Sequence, residues 1–168
     1  MRFFLTLFVL AISAAAAHFL VLTSLPGFIM SKAQEAIAAQ GVPLNVWVAT
    51  PRQTPQTQRV VRPSPDLAYA LCRFDTSNGP VRITAPVGDG YGSVSVFNSQ
   101  TDNVFVGDLS AGSTFTSVRI EPGAGAASGN TAFVDGPGLA LIRRLAPTQA
   151  EYEVAAALVN DATCETVE

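Results

Sequence analysis

Residues 67–85, LAYALCRFDTSNGPVRITA, decide the fold class. Leu67 to Phe74 reads as a strand, and Ser77-Asn78-Gly79-Pro80 supplies a turn through residues that bond their own backbone or fix φ. Val81-Arg82-Ile83-Thr84-Ala85 then alternates apolar and polar, the period of a half-buried strand. Tyr91 to Phe97, Val104 to Leu109, Phe115 to Ile120, Thr131 to Val134 and Leu139 to Leu145 are short strand-like runs separated by turn signals. Such a series predicts a mainly β domain, an antiparallel β-sandwich or barrel-like sheet. After Pro147, Thr148-Gln149-Ala150-Glu151 is a capping box opening a C-terminal helix to about Ala162. Tyr152, Ala155, Ala156 and Val159 share one face of it, suited to packing on the sheet and carrying Cys164 back towards it.

Upstream, the character changes twice. Leu44 to Pro65 holds Pro51, Pro55, Pro63 and Pro65 among Thr and Gln, which predicts an extended arm with Trp47 anchored on the core. Before it, Ser31-Lys32-Ala33-Gln34 reads as another capping box. It predicts a short helix over about Lys32 to Gln40, ended by Gly41 and Pro43. Phe3 to Met30, FFLTLFVLAISAAAAHFLVLTSLPGFIM, is a long apolar block closed by Pro26-Gly27. Its length suffices for a transmembrane helix. A cleaved signal peptide, cut after Ala15-Ala16-Ala17, is the rival reading. Signal h-regions do not continue apolar beyond the cut, whereas Phe19-Leu20-Val21-Leu22 does, which favours the retained anchor. The expected organisation is therefore an anchor at 1–30, a short helix and proline-rich arm at 31–65, and a β-rich domain with its helix at 66–168.

Charge and cysteine usage narrow the setting. The 168 residues carry 10 basic and 13 acidic side chains without a run of either sign, so no basic face for nucleic acid is present. Arg2 before the span points to a cytoplasmic N-terminus and a translocated domain under the positive-inside rule. Cys72 and Cys164 suit an oxidising compartment and leave two alternatives, one disulfide or two buried thiols. Single-pass insertion in a bacterial inner membrane, with the domain in the periplasm and the lipid bilayer as first partner, follows as the expectation.

Candidate chemistry is sparse. His18, the single histidine, lies inside the span and has no acidic partner there, so a neutral imidazole fits it best. No CxxC or HExxH pattern points to a metal, and no cofactor is expected. Asp89, Asp102, Asn103 and Asp108 read as turn residues rather than an oxygen-only cation site. Gly123 to Gly129, GAGAASG, has a serine at the third glycine of a dinucleotide loop and is followed by a strand, so it reads as a flexible hairpin loop. Arg62, Asp66 and Tyr69 are the remaining cluster. They either form an anion- or hydroxyl-binding trio at a cleft rim or pin the arm to the strand edge, with the tyrosine hydrogen-bonded at its tip.

Those residues carry a likeness. Arg62-Pro63-x-x-Asp66-x-x-Tyr69, Asp75-x-Ser77-x-Gly79-Pro80, the Gly90, Tyr91 and Ser93 strand, and Thr101-Asp102-Asn103 resemble the bacterial family called domain of unknown function 1254. The resemblance is strongest from Val60 to Leu109 and continues through Leu145. It departs at Ser64-Pro65 and Leu67, where the family has Asn-Asn and Thr. It implies a β-rich fold without an assigned activity, and a second domain, number 1214, in many longer members. This chain is expected to be too short to hold that domain, so a separately encoded partner carrying it is implied. The leading expectation is a non-catalytic binding or assembly module. The alternative is an enzyme acting on a small polar or sugar-like envelope metabolite through Arg62, Asp66 and Tyr69.

Overall fold

A computed structural model describes residues 2–54 and 63–168. Its first element, α1, runs Arg2–Ala39 without interruption. The stop expected at Pro26-Gly27 does not occur, and no separate helix begins at Ser31. Pro26 lies inside the helix, where it forfeits one backbone hydrogen bond. Ending a helix there would free several more, a heavier loss in an apolar surrounding. Ser31 is accordingly no cap. Its hydroxyl reaches Glu35 Oε1 at 3.5 Å, and Gln34 is buried instead of reaching back. The end of the helix follows the sequence signal: Gly41 has φ 86° and its N–H donates to Ala38 O at 2.9 Å.

With 38 residues, α1 is about 57 Å long at 1.5 Å per residue, well beyond the roughly 30 Å of a bilayer core. Phe3, Phe4, Phe8, Phe19 and Phe28 are all exposed along it. Its most apolar window has a mean hydropathy of 2.3, so the helix is long and apolar enough to cross a membrane.

The rest of the described chain is a mainly β architecture of two sheets, sandwich-like and not closed into a barrel. The strands are β1 (Trp47–Ala49), β2 (Leu67–Asp75), β3 (Val81–Thr84), β4 (Gly92–Phe97), β5 (Asn103–Asp108), β6 (Ser117–Pro122), β7 (Thr131–Val134), β8 (Pro137–Leu145) and β9 (Cys164–Thr166). One sheet has the order β1-β2-β8-β4-β5 and is antiparallel throughout. The other has the order β7-β6-β3-β9. The turn expected at Ser77–Pro80 is a corner rather than a hairpin, since β2 and β3 belong to different sheets. Asp75 accepts from Ser77 N at 2.9 Å, and Gly79 takes φ 126°. Thr76, buried beneath this corner, donates its hydroxyl to Val134 O at 2.7 Å, tying the first corner to the strand that makes a later one.

Strand alternation builds the core. On β2 the even residues Ala68, Ala70, Cys72 and Phe74 are buried and the odd ones half-buried. Ala140 and Ile142 of β8 and Val94 and Val96 of β4 continue that inner face, opposed by Val81, Ile83, Val118, Ile120, Ala132 and Val134 of the second sheet. Apolar faces turned inward from two layers are what a sandwich needs. A disulfide between Cys72 of β2 and Cys164 of β9 joins the sheets through the core. Beside it Trp47 is buried, its Nε1 donating to Thr163 O at 2.9 Å. The core-anchoring role expected of Trp47 is thus what the structure has.

Four further features depart from the sequence expectation. The proline-rich arm is not merely extended: β1 forms within it and pairs with β2, Trp47 opposite Cys72. A ninth strand, β9, follows the C-terminal helix and pairs with β3. GAGAASG does not connect a hairpin, because β6 and β7 run parallel with Arg119 opposite Thr131. The loop folds back over the second strand, where a Cβ on Gly125 would come 2.7 Å from Phe133 Cδ2, so only glycine fits beneath that ring. Finally, the C-terminal helix α2 spans Gln149–Ala157 and passes into a 3-10 turn over Leu158–Asp161. Its capping box is complete: Glu151 N donates to Thr148 Oγ1 at 3.3 Å and Thr148 N to Glu151 Oε2 at 2.9 Å.

Candidate functional site

The chain approaches β2 through Pro63–Asp66, and its polar atoms are largely committed to holding that approach. Ser64 N donates to the Tyr69 hydroxyl at 2.8 Å, Leu67 N to Ser64 O at 3.3 Å, and Asp66 N to Ser64 Oγ at 3.3 Å. Ala146 N then donates to Asp66 O at 2.8 Å, fixing the turn to the end of β8. The structure therefore brings Asp66 and Tyr69 into one turn, joined through Ser64 rather than through their own side chains. Tyr69 is half-buried with its hydroxyl occupied by the chain. The Asp66 carboxylate is exposed and accepts no hydrogen bond among the described residues. Arg62 lies outside the described residues.

The turn aspartates serve their loops. Asp102 bonds Asn98, and Asp108 accepts from Ser110 N at 2.9 Å; the Ser110 side chain first, and then this backbone N–H, hold its carboxyl below the usual carboxylate value.

A cavity of about 570 Å³ opens at this same C-terminal end of β8, between residues 87–91 and α2. Its walls are Val87, Val154, Ala155 and Leu158, with Asp89 and Glu151 also lining it. Arg144 lines it too. Strand parity explains the arginine: Ala140, Ile142 and Arg144 occupy successive inward positions of β8, and Ala68 faces Arg144 across the ladder. Here α2, not the second sheet, covers the inner face, with Ala155 packed against Ala68 and Ala146. Arg144 is only 5% exposed, and its Nη2 donates to Pro86 O.

Among the described residues no carboxylate pairs with that charge. The ion pairs among the described residues are Lys32–Glu35 and Arg119–Glu121. Arg144 Nε is buried without a partner, and Nη1 makes no hydrogen bond among the described residues. Burial pushes the guanidinium pKa down from its ordinary value, since the surroundings disfavour the charge. Glycines make the space: a Cβ on Gly88 would stand 2.9 Å from Nη1, and one on Gly92 3.1 Å. Arg144 is not among the candidate residues drawn from the sequence. The sequence carries little signal for it, since both parities of Leu139 to Ile142 are apolar and Gly88 and Gly92 lie far upstream.

Two sheets packed face to face, linked by a disulfide and preceded by a long apolar helix, define a β-sandwich protein with a membrane-competent N-terminal helix. Residues 44–164 match the family described as "Protein of unknown function (DUF1254)", and the chain belongs to that family. The match extends the resemblance seen in the sequence to β1 on one side and to Cys164 on the other. Among solved structures, the VPA0106 protein from Vibrio parahaemolyticus is similar in fold, with a TM-score of 0.62 at 13% identity over 90% of this chain. The chain spans 37% of that protein's length. No curated protein matches the sequence.

Proposed function

We propose that this chain is a membrane-anchored binding or assembly module of the bacterial envelope. In this reading α1 stays in the inner membrane as a single span and the sandwich lies in the periplasm. The observation that carries it is the exposure of every large apolar side chain from Phe3 to Phe8 and from Phe19 to Leu22, on a helix attached to a domain with its own buried core. A helix apolar all round is suited to lipid rather than water. Arg2 favours a cytoplasmic N-terminus, and the Cys72–Cys164 bond suits an oxidising compartment.

The partner in this reading is a separately encoded chain carrying domain of unknown function 1214. Two points support it: the family resemblance, and the much greater length of the solved neighbour, of which this chain covers 37%. Affinity purification of the full chain from detergent-solubilised native membranes, followed by mass spectrometry, tests the pairing. A chain bearing that second domain is expected at a near-equal amount. Purification without it contradicts the pairing.

A further inference from the structure

The cavity under α2 is a built site with one unmet requirement. Arg144, only 5% exposed as a residue and donating through Nη2 only to a backbone carbonyl, has no carboxylate partner for its positive charge among the described residues. Proteins seldom leave a buried charge unpaired, because desolvation is then not offset by any Coulombic partner. Replacing Arg144 by an apolar residue would fill the same inner position without that cost. The unpaired arginine, the glycines that make room for it and the open space beside it together describe a receptor for an anion.

We propose that this cavity binds a small organic monocarboxylate with a short apolar body, its carboxylate on Arg144 and its hydrocarbon against α2. Three observations choose that class. First, the volume of about 570 Å³ lies in the range of small-molecule sites, roughly 300–1,000 Å³. Second, Val87, Val154, Ala155 and Leu158 give it an apolar wall, so a bare inorganic anion would leave most of the lining unused. Third, Arg144 is the one cation among the described residues that line the cavity, and Asp89 and Glu151 line it as well, so a second negative charge on the ligand meets repulsion. A phosphate ester is disfavoured on that ground. Glu151 does not fill the carboxylate's place, because it is engaged by Thr148 in the helix cap.

The described residues that build the site belong to the sandwich and α2, so it stands independently of the pairing and of the anchoring proposed above. The test is isothermal titration of the full chain in lipid nanodiscs, with empty nanodiscs subtracted, using hexanoate, hexan-1-ol and hexyl phosphate. Hexanoate is expected to bind one to one, at least tenfold more tightly than either of the others. Val154→Trp, at an exposed position of α2, should weaken hexanoate at least tenfold while leaving the unfolding temperature unchanged. Arg144→Met, close in length and uncharged, should abolish the preference for hexanoate over hexan-1-ol. Equal affinity for acid and alcohol in the unaltered protein overturns the proposal, as does tighter binding of hexyl phosphate. Undiminished hexanoate binding in Val154→Trp overturns it too, and that variant decides the matter even if Arg144→Met does not fold.

Discussion

The N-terminal helix and the sandwich use similar side chains to opposite ends. Phe8 of α1 is 63% exposed, whereas Phe74 of β2 is fully buried. In the sandwich, period-two alternation puts one set of residues inside and leaves its neighbours half-exposed. In α1 no such division exists between Phe3 and Leu25, and the apolar surface encircles the helix. The difference teaches that hydrophobicity alone does not mark a core. Its arrangement along the chain states which solvent each element is built for.

That contrast can be broken first at its strongest point. Phe74→Ala should destabilise the sandwich by roughly 3–5 kcal/mol, read by denaturant unfolding, because it removes a ring from the inter-sheet core. Phe8→Ala, on the helix, should leave the same transition unmoved. Next, replacing both Cys72 and Cys164 by serine opens a loop of sequence separation 92 and should cost about 2–5 kcal/mol in the same assay. A comparable effect on the other side of the comparison comes from Leu10→Arg in α1. An arginine at the centre of a span costs about 2.5–3.5 kcal/mol on insertion scales, so the membrane-bound fraction should fall while the purified sandwich melts normally.

Smaller effects sharpen the account of how the chain reaches the first long strand. Tyr69→Phe leaves Ser64 N without its acceptor and should cost about 1 kcal/mol, seen as a lowered unfolding midpoint. The smallest prediction concerns pH. Hydrogen bonds from the Thr148 hydroxyl, first, and from its backbone N–H hold the Glu151 carboxyl below its ordinary value of 4.5. A depressed folded pKa means that this contribution is complete above the unfolded value and is lost as pH falls through the folded one. Thermal unfolding followed from pH 6 to pH 3 should therefore show a small extra loss in the unaltered protein that Glu151→Gln lacks.

Much of the sandwich was legible because its strands obey a local rule. Val81–Thr84 alternates in the sequence, Thr131–Val134 and the long run ending at Leu145 are short runs bounded by turn signals, and all three are strands. The C-terminal capping box was equally local and equally readable. What was not legible depends on partners distant in sequence. β1 and β9 have three residues each and exist because β2 and β3 offer open edges to pair with. The parallel course of β6 and β7 depends on Gly125 passing over Phe133, which no local pattern announces. Pro26-Gly27 carried the usual stop signal, yet the helix runs through it.

The candidate site was read less well for a related reason. Arg62, Asp66 and Tyr69 drew notice as a cluster of reactive types, while the structure spends the Tyr69 hydroxyl on Ser64 N and leaves Asp66 exposed. Arg144 drew none, because its neighbour Arg143 makes the pair look like ordinary surface charge. Only the register of β8 against β2, with Ala68 opposite Arg144, turns it inward.

The most direct test of the anchored-module account is the intact mass of the chain recovered from fractionated cells, combined with protease digestion of spheroplasts. The account predicts a membrane-bound chain that still contains residues 3–25 and whose sandwich is cut from outside the inner membrane. A soluble chain beginning at His18, or a sandwich protected until the inner membrane is opened, would contradict it.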